Sequence, residues 1–414
     1  MSDAVTRRET CRVCESGELY SFLDLGEMPP ANDFVEDPDA EQERYPLEVV
    51  VCEDCDHVQL RHTIDPEILF GNYHYFSSAS APLFEHFGTY ADAVTDRYLD
   101  GREDPFVVEF GSNDGVLLSQ FDESVATLGV EPAENVAEAA RERGVETLVD
   151  FFGESVAETV REEYGAVDAI LANNVVGHVD DLGDLMRGID ALLGPEGAFV
   201  VEVPYLVDTV SNNQFDQVYH EHLSYFSVRS FQRLAEQFDM EVRDIERQSV
   251  HGGTIRVHIQ RASADGEPTR MVQDLESLEL ALGLDGREAY DEFAHRVERT
   301  KTGIEKLFDR LKTADVSVVG YGATAKGNVL LNYCDIGPET LDYILDTTPA
   351  KQGSYSPGKK VPVREPDVFY EEPPEYAVLL AWNYRDAILR NEAEREFRQA
   401  GGQFVLPIPA VDIV

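Results

Sequence analysis

Two segments of the chain repeat the order buried strand, glycine turn and helix. In the first segment, the strand-like run FVVEF (106–110) leads into the turn GSNDG (111–115), and VLLSQF is expected to start a helix. The runs ATLGVEP, ENVAEAARERG, DAILANN, LGDLMRGIDALL and GAFVVEVPYL then alternate as strand and helix. A second segment starts at VSVVGYGATAKGNVLLNY and continues with LDYILD, YAVLLAW and GQFVLPIP. Apolar strands that alternate with helices are typical of parallel sheets covered by helices. The sequence therefore predicts an α/β protein with two Rossmann-like domains, together with helices over 82–99 and 287–312.

The charge of the chain excludes one class of partner. Acidic residues number 80 and basic residues 34, so the formal net charge is -46. Such a surface repels phosphates, and we therefore expect no nucleic acid partner. The acids are spread along the chain instead of forming one acidic interaction tail. This spread predicts a halophilic protein, because high salt screens the repulsion between acids.

The chain shows no signal for a membrane or for export. No apolar run is long enough to span a bilayer. The first residues lack the apolar core of a signal peptide. We expect a cytoplasmic protein without a membrane partner, present as a monomer or a weak homo-oligomer.

Two CxxC pairs predict a metal site near the N-terminus, formed by Cys11, Cys14, Cys52 and Cys55. Each pair directs two thiolates toward one point, and two pairs complete a tetrahedral Zn²⁺ site. Paired redox cysteines are the alternative. Because sulfur fills all four positions, the zinc is expected to be structural, with its binding energy contributing to folding. Cys334 stands alone and is expected to be a buried thiol.

The first glycine turn predicts a site for S-adenosylmethionine (SAM). Glu109, Gly111 and Gly115 form the pattern E-x-G-x-x-x-G, and Asn113 lies within the turn. Such a turn alone could also hold a dinucleotide. The spacing differs from G-x-G-x-x-G, however, and Glu131 ends the next strand, where a carboxylate can bind both ribose hydroxyls.

Three further polar residues follow later strands of the same segment. Asp150 could face the adenine, or could be a solvated loop acid. Asn173 and Asn174 end DAILANN, at the sheet edge where ligands of such folds bind. A turn or a helix cap is the alternative for these asparagines.

The run from Tyr219 to His222, YHEH, is dense in groups that transfer protons. His222 is the candidate general base, and Glu221 or Tyr219 could orient it or polarise a carbonyl. Metal binding is the competing interpretation, but this run lacks the helical spacing of H-E-x-x-H. Tyr75, in NYHYFSS, is a candidate for covering the site, with ordinary packing as the alternative.

The second glycine loop predicts an anion site. Gly322, Lys326 and Asn328 belong to GYGATAKGN, and Lys351 follows the next strand. Lysines at such turns of an acidic protein are expected to meet an anion, although internal packing is the alternative. His251 precedes two glycines that suggest close approach to a ligand, or a plain turn.

The motifs together resemble one family, the SAM-dependent C-methyltransferases of nucleotide-linked deoxysugars. The resemblance rests on the CxxC pairs, EFGSNDG, VYHEHLSYFS, HGGTIRVHI, GYGATAKGNVLLNY, DTTPAKQGSYSPGKKVPV and LLAWNYRD, which cover nearly the whole chain. It implies a zinc-binding domain (1–65), a SAM-binding methyltransferase domain (66–245) and a Rossmann-like domain (246–414). A nucleotide-diphosphate sugar would bind between the last two.

The resemblance also implies roles for residues. His222 would be the base, Tyr219 and Glu221 its companions and Tyr75 a substrate-side tyrosine. The substrate would be a 4-keto-6-deoxysugar, methylated at C3. The residues themselves leave open an O- or N-methyltransferase, an NAD oxidoreductase and a non-catalytic zinc-anchored nucleotide-binding module.

Overall fold

A computed structural model describes residues 4–70, 76–79, 81–393 and 395–414 of the protein. Its strands are β1 (Val5–Arg7), β2 (Leu19–Met28), β3 (Tyr45–Cys52), β4 (Val58–Leu60), β5 (His62–Ile64), β6 (Phe106–Phe110), β7 (Ala126–Val130), β8 (Thr147–Leu148), β9 (Val167–Asn173), β10 (Leu193–Pro204), β11 (Ser224–Tyr225), β12 (Met240–Gln248), β13 (Thr254–Arg261), β14 (Val318–Tyr321), β15 (Ile344–Leu345), β16 (Val363–Arg364), β17 (Tyr376–Leu379), β18 (Gln403–Leu406) and β19 (Asp412–Ile413). Its helices are α1 (Pro66–Phe70), α2 (Ala81–Val94), α3 (Glu134–Glu142), α4 (Glu154–Tyr164), α5 (Leu182–Leu192), α6 (Leu206–Ser211), α7 (Val228–Glu236), α8 (Arg270–Ala281), α9 (Arg287–Ala314), α10 (Ala325–Tyr333), α11 (Pro366–Glu371), α12 (Arg385–Glu392) and α13 (Glu396–Gln399).

The N-terminal domain is a small antiparallel sheet that a distant segment completes. Strands β2, β3 and β4 pair in order, and β11, from the central part of the chain, adds to the free edge of β4. Strands β1 and β5 form a separate pair. The N-terminal domain therefore shares its sheet with residues that follow His222.

The four cysteines fit a tetrahedral zinc ion. Their sulfur atoms lie within 4.8 Å of one another, with 3.5 Å between Cys11 and Cys55 and 3.5 Å between Cys14 and Cys52. A zinc ion at about 2.3 Å from each sulfur requires edges of about 3.8 Å. The four sulfur atoms are therefore placed to fill all four positions of a structural zinc site.

The central sheet has seven strands in the order β12-β13-β10-β9-β6-β7-β8. Strands β10, β9, β6, β7 and β8 run parallel, whereas β13 is antiparallel to β10. The first strand, β6, lies in the middle, between β7 and β9. The strand order thus reverses beside β6, and loops that leave the carboxyl ends of β6, β7 and β9 open a crevice there.

The antiparallel hairpin β12–β13 belongs to the central sheet, although the predicted domain boundary at residue 246 falls inside β12. Strand β13 pairs with β10 along its length, so the central sheet extends to Arg261. The alternating pattern of these strands did not show in the sequence which of the two sheets they join.

One predicted helix is wrong. The run VLLSQF was expected to start a helix after the glycine turn, but it forms only the 3-10 turn Leu118–Gln120. The predicted helix over 82–99 is observed as α2, extended by a π-helical turn over Thr95–Leu99. Residues of α2 pack with residues 116–118 in one apolar cluster. Helix α2 therefore covers the face of the sheet that the missing helix would cover.

The second Rossmann-like domain is confirmed. Helix α9 bears out the long polar helix predicted over 287–312 and leads into a six-stranded sheet in the order β16-β15-β14-β17-β18-β19. The first five of these strands are parallel and β19 is antiparallel to β18. Strand β14 lies in the interior of the sheet, so its glycine turn opens at the carboxyl edge.

A loop of the N-terminal domain contacts the other two domains. The side-chain amide of Asn32 donates to Glu221 at 2.7 Å. The amide of Asn328 donates to the carbonyl of Ala31 at 2.7 Å, and Val35 bridges to Tyr355. The three domains therefore meet around this loop.

Among the helices of the described residues, none has both the length and the apolar character needed to cross a bilayer.

The net charge of -46 predicts that stability rises with salt. The Debye length is about 10 Å at 0.1 M salt and about 3 Å at 1 M, so repulsion among surface acids fades over this range. The melting temperature, followed by circular dichroism, is expected to rise as KCl increases from 0.1 M to 2 M. Sucrose at matched osmolality is the control, since it does not screen charge. A melting temperature that is highest in dilute buffer would contradict the prediction.

Candidate active site

A cavity of about 430 Å³ lies where the three domains meet. Its walls include loops that follow β6, β7, β9, β10, β14 and β15. The sequence-predicted residues that line it are Glu109, Gly111, Asn113, Glu131, Asn173, Asn174, Tyr219, Glu221, His222, Lys326 and Lys351. The cavity thus brings together the glycine turn after β6 that is predicted to bind SAM, the YHEH run and the predicted anion site.

The turn after β6 has positive φ angles, which glycine and asparagine adopt more readily than other residues. Gly111, Asn113 and Gly115 have φ values of 60°, 49° and 71°. A Cβ atom at Gly111 would lie 2.6 Å from Val175, so only glycine lets the turn approach the loop after β9. At Gly115 a Cβ atom would meet Val145 at 3.0 Å. Gly115 therefore serves the packing of the turn, and it does not line the cavity.

Glu131 holds the turn and faces the cavity. Its carboxylate accepts the backbone N–H groups of Asn113 and Ala133, each at 3.0 Å. The side chain is buried, and this burial raises its pKa while the two backbone hydrogen bonds lower it. Each carboxylate oxygen has a second lone pair, which fits the ribose hydroxyls of SAM.

Buried acceptor oxygens surround the end of β9. Asn173 donates its amide to Glu109 at 2.8 Å. Within the described part of the chain, Glu109 Oε2, Asn173 Oδ1 and Asn174 Oδ1 have no hydrogen-bond donor. Burial raises the pKa of Glu109 to about 8. Buried acceptors need a donor, and the ammonium group of the methionine part of SAM is a donor of this kind.

Asp150 is exposed and is not among the residues that line the cavity. Its carboxylate accepts the N–H of Phe151 at 2.8 Å. Phe151 and Phe152 do line the cavity, and Phe152 stacks on Phe110 with 4.7 Å between ring centroids. The prediction missed these two aromatic residues, although they directly follow Asp150 in the sequence.

Two contacts orient His222. Its Nδ1 lies 2.8 Å from the carbonyl oxygen of Gln217, and a carbonyl can only accept, so Nδ1 carries the proton of the neutral ring. The lone pair is then on Nε2. The ring of Tyr219 lies 3.8 Å from that of His222. These contacts leave His222 in the tautomer that a general base on the Nε2 side requires.

His178, which sequence reasoning missed, stacks on His222 with 5.2 Å between ring centroids and 25° between ring planes. Burial lowers the pKa of His178 to about 4, so this ring is neutral at pH 7. Single histidines far apart in the chain give no sequence signal for such a pair.

The two residues between Tyr219 and His222 have different environments. His220 is buried and its Nε2 lies 3.1 Å from the carbonyl of Tyr45, away from the cavity. Glu221 lines the cavity and accepts the amide of Asn32. Burial raises the pKa of Glu221 to about 7, opposed by the Asn32 hydrogen bond and by the charge of Lys351. Asn32 was not predicted, because it comes from the N-terminal domain.

Two lysines of the C-terminal domain bring positive charge to the wall of the cavity. Burial lowers the pKa of Lys326 to about 8, and the carboxylate of Asp216 partly opposes this shift. Lys351 donates to the carbonyl of Ala323 at 2.8 Å, and burial lowers its pKa too. Positive groups in a low-dielectric wall attract an anion strongly.

Two other predicted substrate residues do not line the cavity. Gly322 has a φ of 92°, and a Cβ atom there would lie 2.7 Å from Ala381. It therefore shapes the turn before α10. Asn328 is buried at the contact with Ala31. Tyr75 and the side chain of His251 lie outside the described residues.

Comparison with known proteins finds the three parts in the same order. Residues 11–70 match the family described as "Putative zinc binding domain". Residues 84–245 match "Methyltransferase domain" and residues 249–409 match "C-methyltransferase C-terminal domain". The family matches therefore agree with the zinc site and with the two Rossmann-like sheets.

One relative matches along the whole chain. The C-methyltransferase NovU of Streptomyces niveus is 37% identical over 417 residues, which cover 100% of this chain and 99% of NovU. The magnesium protoporphyrin IX methyltransferase ChlM of Synechocystis PCC 6803, solved with SAH, covers 43% of this chain and 83% of its own at 11% identity and a TM-score of 0.34. The YcgJ protein of Bacillus subtilis covers 44% and 99%, at 15% identity and a TM-score of 0.35.

The full-length match answers the alternatives that the residues left open. NovU is a C-methyltransferase, so carbon is favoured over oxygen or nitrogen as the methyl acceptor, and an enzyme over a binding module. The chain belongs to the family of SAM-dependent C-methyltransferases, which combine a zinc-binding domain, a methyltransferase domain and a C-terminal domain of their own.

Proposed function

We propose that this enzyme methylates C3 of a nucleotide-diphosphate-linked 4-keto-6-deoxysugar, with His222 as the base. The observation that carries the proposal is one cavity whose walls hold Glu131 and His222 together with Lys326 and Lys351. A cofactor, a base and an anion site in one cavity suit a substrate that has a phosphate group at one end and an acidic carbon at the other.

The cofactor would occupy the side of the cavity next to the central sheet. Glu131 would accept from the ribose hydroxyls, and Glu109 and Asn173 would accept from the ammonium group. Phe151 would offer an apolar ring to the adenine. When bound, SAM supplies an electrophilic methyl group that a carbanion takes up, with release of S-adenosylhomocysteine (SAH).

His222 would form that carbanion. A carbon beside a ketone is acidified, and Nε2 of His222 would take its proton, since Nδ1 is held by Gln217. Tyr219 could donate a hydrogen bond to the enolate oxygen that develops. Glu221, with a pKa near 7, could supply a proton or a hydrogen bond on the same side.

The C-terminal domain would hold the nucleotide diphosphate. Lys326 is a buried cation and Lys351 a half-buried one, in a chain of net charge -46, and a charge withdrawn from water is costly unless an opposite charge meets it. Asp216 partly offsets the charge of Lys326, and Asp346 and Glu221 partly offset that of Lys351. A diphosphate would complete this compensation.

The substitution Glu131→Ala is expected to weaken SAM binding by roughly 10- to 100-fold, since charge-assisted hydrogen bonds contribute about 1.5 to 3 kcal/mol each. Isothermal titration calorimetry with SAM measures the change. Glu138→Ala, on the exposed face of α3, is the matched control and should bind normally. Unchanged affinity of the Glu131 variant would remove this residue from the cofactor site.

The substitution His222→Asn is expected to lower turnover by roughly 10²- to 10⁴-fold, the usual contribution of a general base. SAM affinity should stay the same, because the cofactor residues are intact. Deuterium exchange at the carbon beside the ketone, followed by NMR with SAH bound, should also stop. His295→Asn, exposed on α9, serves as control. Normal exchange in the His222 variant would assign the base to another residue.

The substitution Lys326→Ala is expected to raise KM for the nucleotide sugar by roughly 10-fold or more, because a buried cation facing phosphate is lost. Since the pKa of Lys326 is about 8, affinity for a nucleoside diphosphate should also fall as pH rises from 7 to 9. The wild-type enzyme should show this pH dependence in calorimetry, and it should be weaker in the variant, where only Lys351 and Glu221 remain to titrate near the anion. Lys306→Ala, exposed on α9, is the control. An unaltered KM would argue against an anion at this wall.

A further inference from the structure

Arg12 lies in the chain between the predicted zinc ligands Cys11 and Cys14, and its side chain makes hydrogen bonds outside the metal site. Its side chain is fully buried. It donates to the carbonyl of Leu60 at 2.6 Å, to Thr63 at 2.7 Å and to Asp180 at 2.9 Å. The planar guanidinium is a rigid fork, so the position of this zinc-binding turn fixes where Asp180 can lie.

Asp180 is a wall residue of the cavity, although it was not predicted. Its carboxylate accepts from Arg8 at 3.1 Å, from Arg12 at 2.9 Å and from Thr63 at 2.8 Å. All three donors come from the N-terminal domain. Asp180 therefore ties the loop after β9 to the zinc-binding domain.

The tied loop carries His178 directly to the catalytic histidine. Asp180 is two residues from His178, and the ring of His178 stacks on that of His222 at 5.2 Å. Asn174, with its buried acceptor oxygen, begins the same loop. A shift of this loop would therefore move the ring that supports the base.

The zinc-binding domain also holds the segment that follows His222. Ser224 and Tyr225 pair with Gln59 and Val58 of β4, and the N–H of Leu60 donates to the carbonyl of Leu223 at 2.9 Å. Strand β4 starts three residues after Cys55. The loops that carry His178 and His222 are therefore both hydrogen-bonded to segments that lie close in sequence to the zinc ligands.

We propose that the zinc-binding domain positions the active site, with Arg12 and Asp180 as the positioning residues that hold His178 against His222. The inference rests on the proposed role of His222 as the base. Neither Arg12 nor Asp180 needs to touch the reacting atoms. Zinc would then affect turnover without contacting the substrate, because it would fix the turn from which the side chain of Arg12 extends.

The test uses the full-length, zinc-loaded enzyme and the variants Asp180→Asn and Arg12→Lys. A misplacement of about 1 Å at a reacting group costs roughly 10²-fold in rate, so we expect kcat to fall by about 10- to 100-fold. The affinity for SAM should change by less than about threefold, because Glu131 and Glu109 are untouched. Zinc content, measured by mass spectrometry, should stay equal to that of the wild type. Asp180→Glu, which retains the charge, should recover part of the lost kcat.

A second readout follows the imidazoles themselves. In ¹⁵N-histidine NMR spectra, assigned with His178→Asn and His222→Asn, the signals of both rings should shift in the Asp180 and Arg12 variants. Arg7→Lys and Asp39→Asn, exposed in the N-terminal domain, are matched controls and should leave the spectra and kcat unchanged. These signals do not depend on the substrate, so they test the inference even if the sugar assignment fails.

Two results would overturn the inference. One is a normal kcat together with unmoved imidazole signals in both variants. The other is a loss of zinc and of SAM affinity as large as the loss of kcat, which would indicate simple destabilisation of the fold. Deuterium exchange at the substrate carbon that persists in His222→Asn would instead count against the proposed role of His222 as the base. Failure of the proposed function and failure of this inference are therefore distinguishable.

Discussion

The carboxyl ends of two parallel sheets open onto one cavity, and the rest of the site depends on this arrangement. Loops that leave β6, β7 and β9 form one wall, and loops that leave β14 and β15 form another. Each sheet alone would present a ligand crevice at its own edge. Placed together, they let a cofactor and a second ligand meet without sharing any side chain. The N-terminal domain fills the remaining side through Asn32.

The electrostatics of the cavity are a balance among groups withdrawn from water. Glu109, Glu131, Glu221 and Lys326 are all buried, and all four line the cavity. Burial shifts the pKa of all four toward the neutral form, whereas Asp216 partly restores the charge of Lys326. Buried charges of this kind are tolerated when hydrogen bonds or ligands satisfy them. Lys326 and Lys351 thus place positive charge in the cavity of a chain whose net charge is -46.

Features carried by adjacent residues could be predicted from the sequence. The CxxC pairs, the turn around Gly111 and the position of Glu131 follow from local patterns, because each depends on residues close along the chain. Asn32 and His178 could not be predicted, since their partners, Glu221 and His222, are far away in sequence. Such contacts depend on how whole domains pack.

The missing helix has the same cause. The run VLLSQF has the apolar residues of a helix, but its pattern does not show that α2, which precedes β6, already covers that face of the sheet. Asn328 is a related case, because a polar residue in a glycine loop looked like a ligand contact. Its partner is a backbone carbonyl of another domain. The local sequence shows that these residues are apolar or polar. Which partner each one contacts depends on the packing of distant elements, which the local sequence does not show.

The surroundings of His222 suit a base that must become a cation. In the proposed role, removal of the substrate proton would leave a positive charge on the ring, and a positively charged neighbour would oppose this step. His178 is stacked on it but is neutral at pH 7, because burial lowers its pKa to about 4. The Gln217 carbonyl presents its negative end to Nδ1–H, and the face of Tyr219 stabilises a cation at short range. The stack therefore supports the ring sterically without opposing its charge, which is what a fixed, reversible base requires.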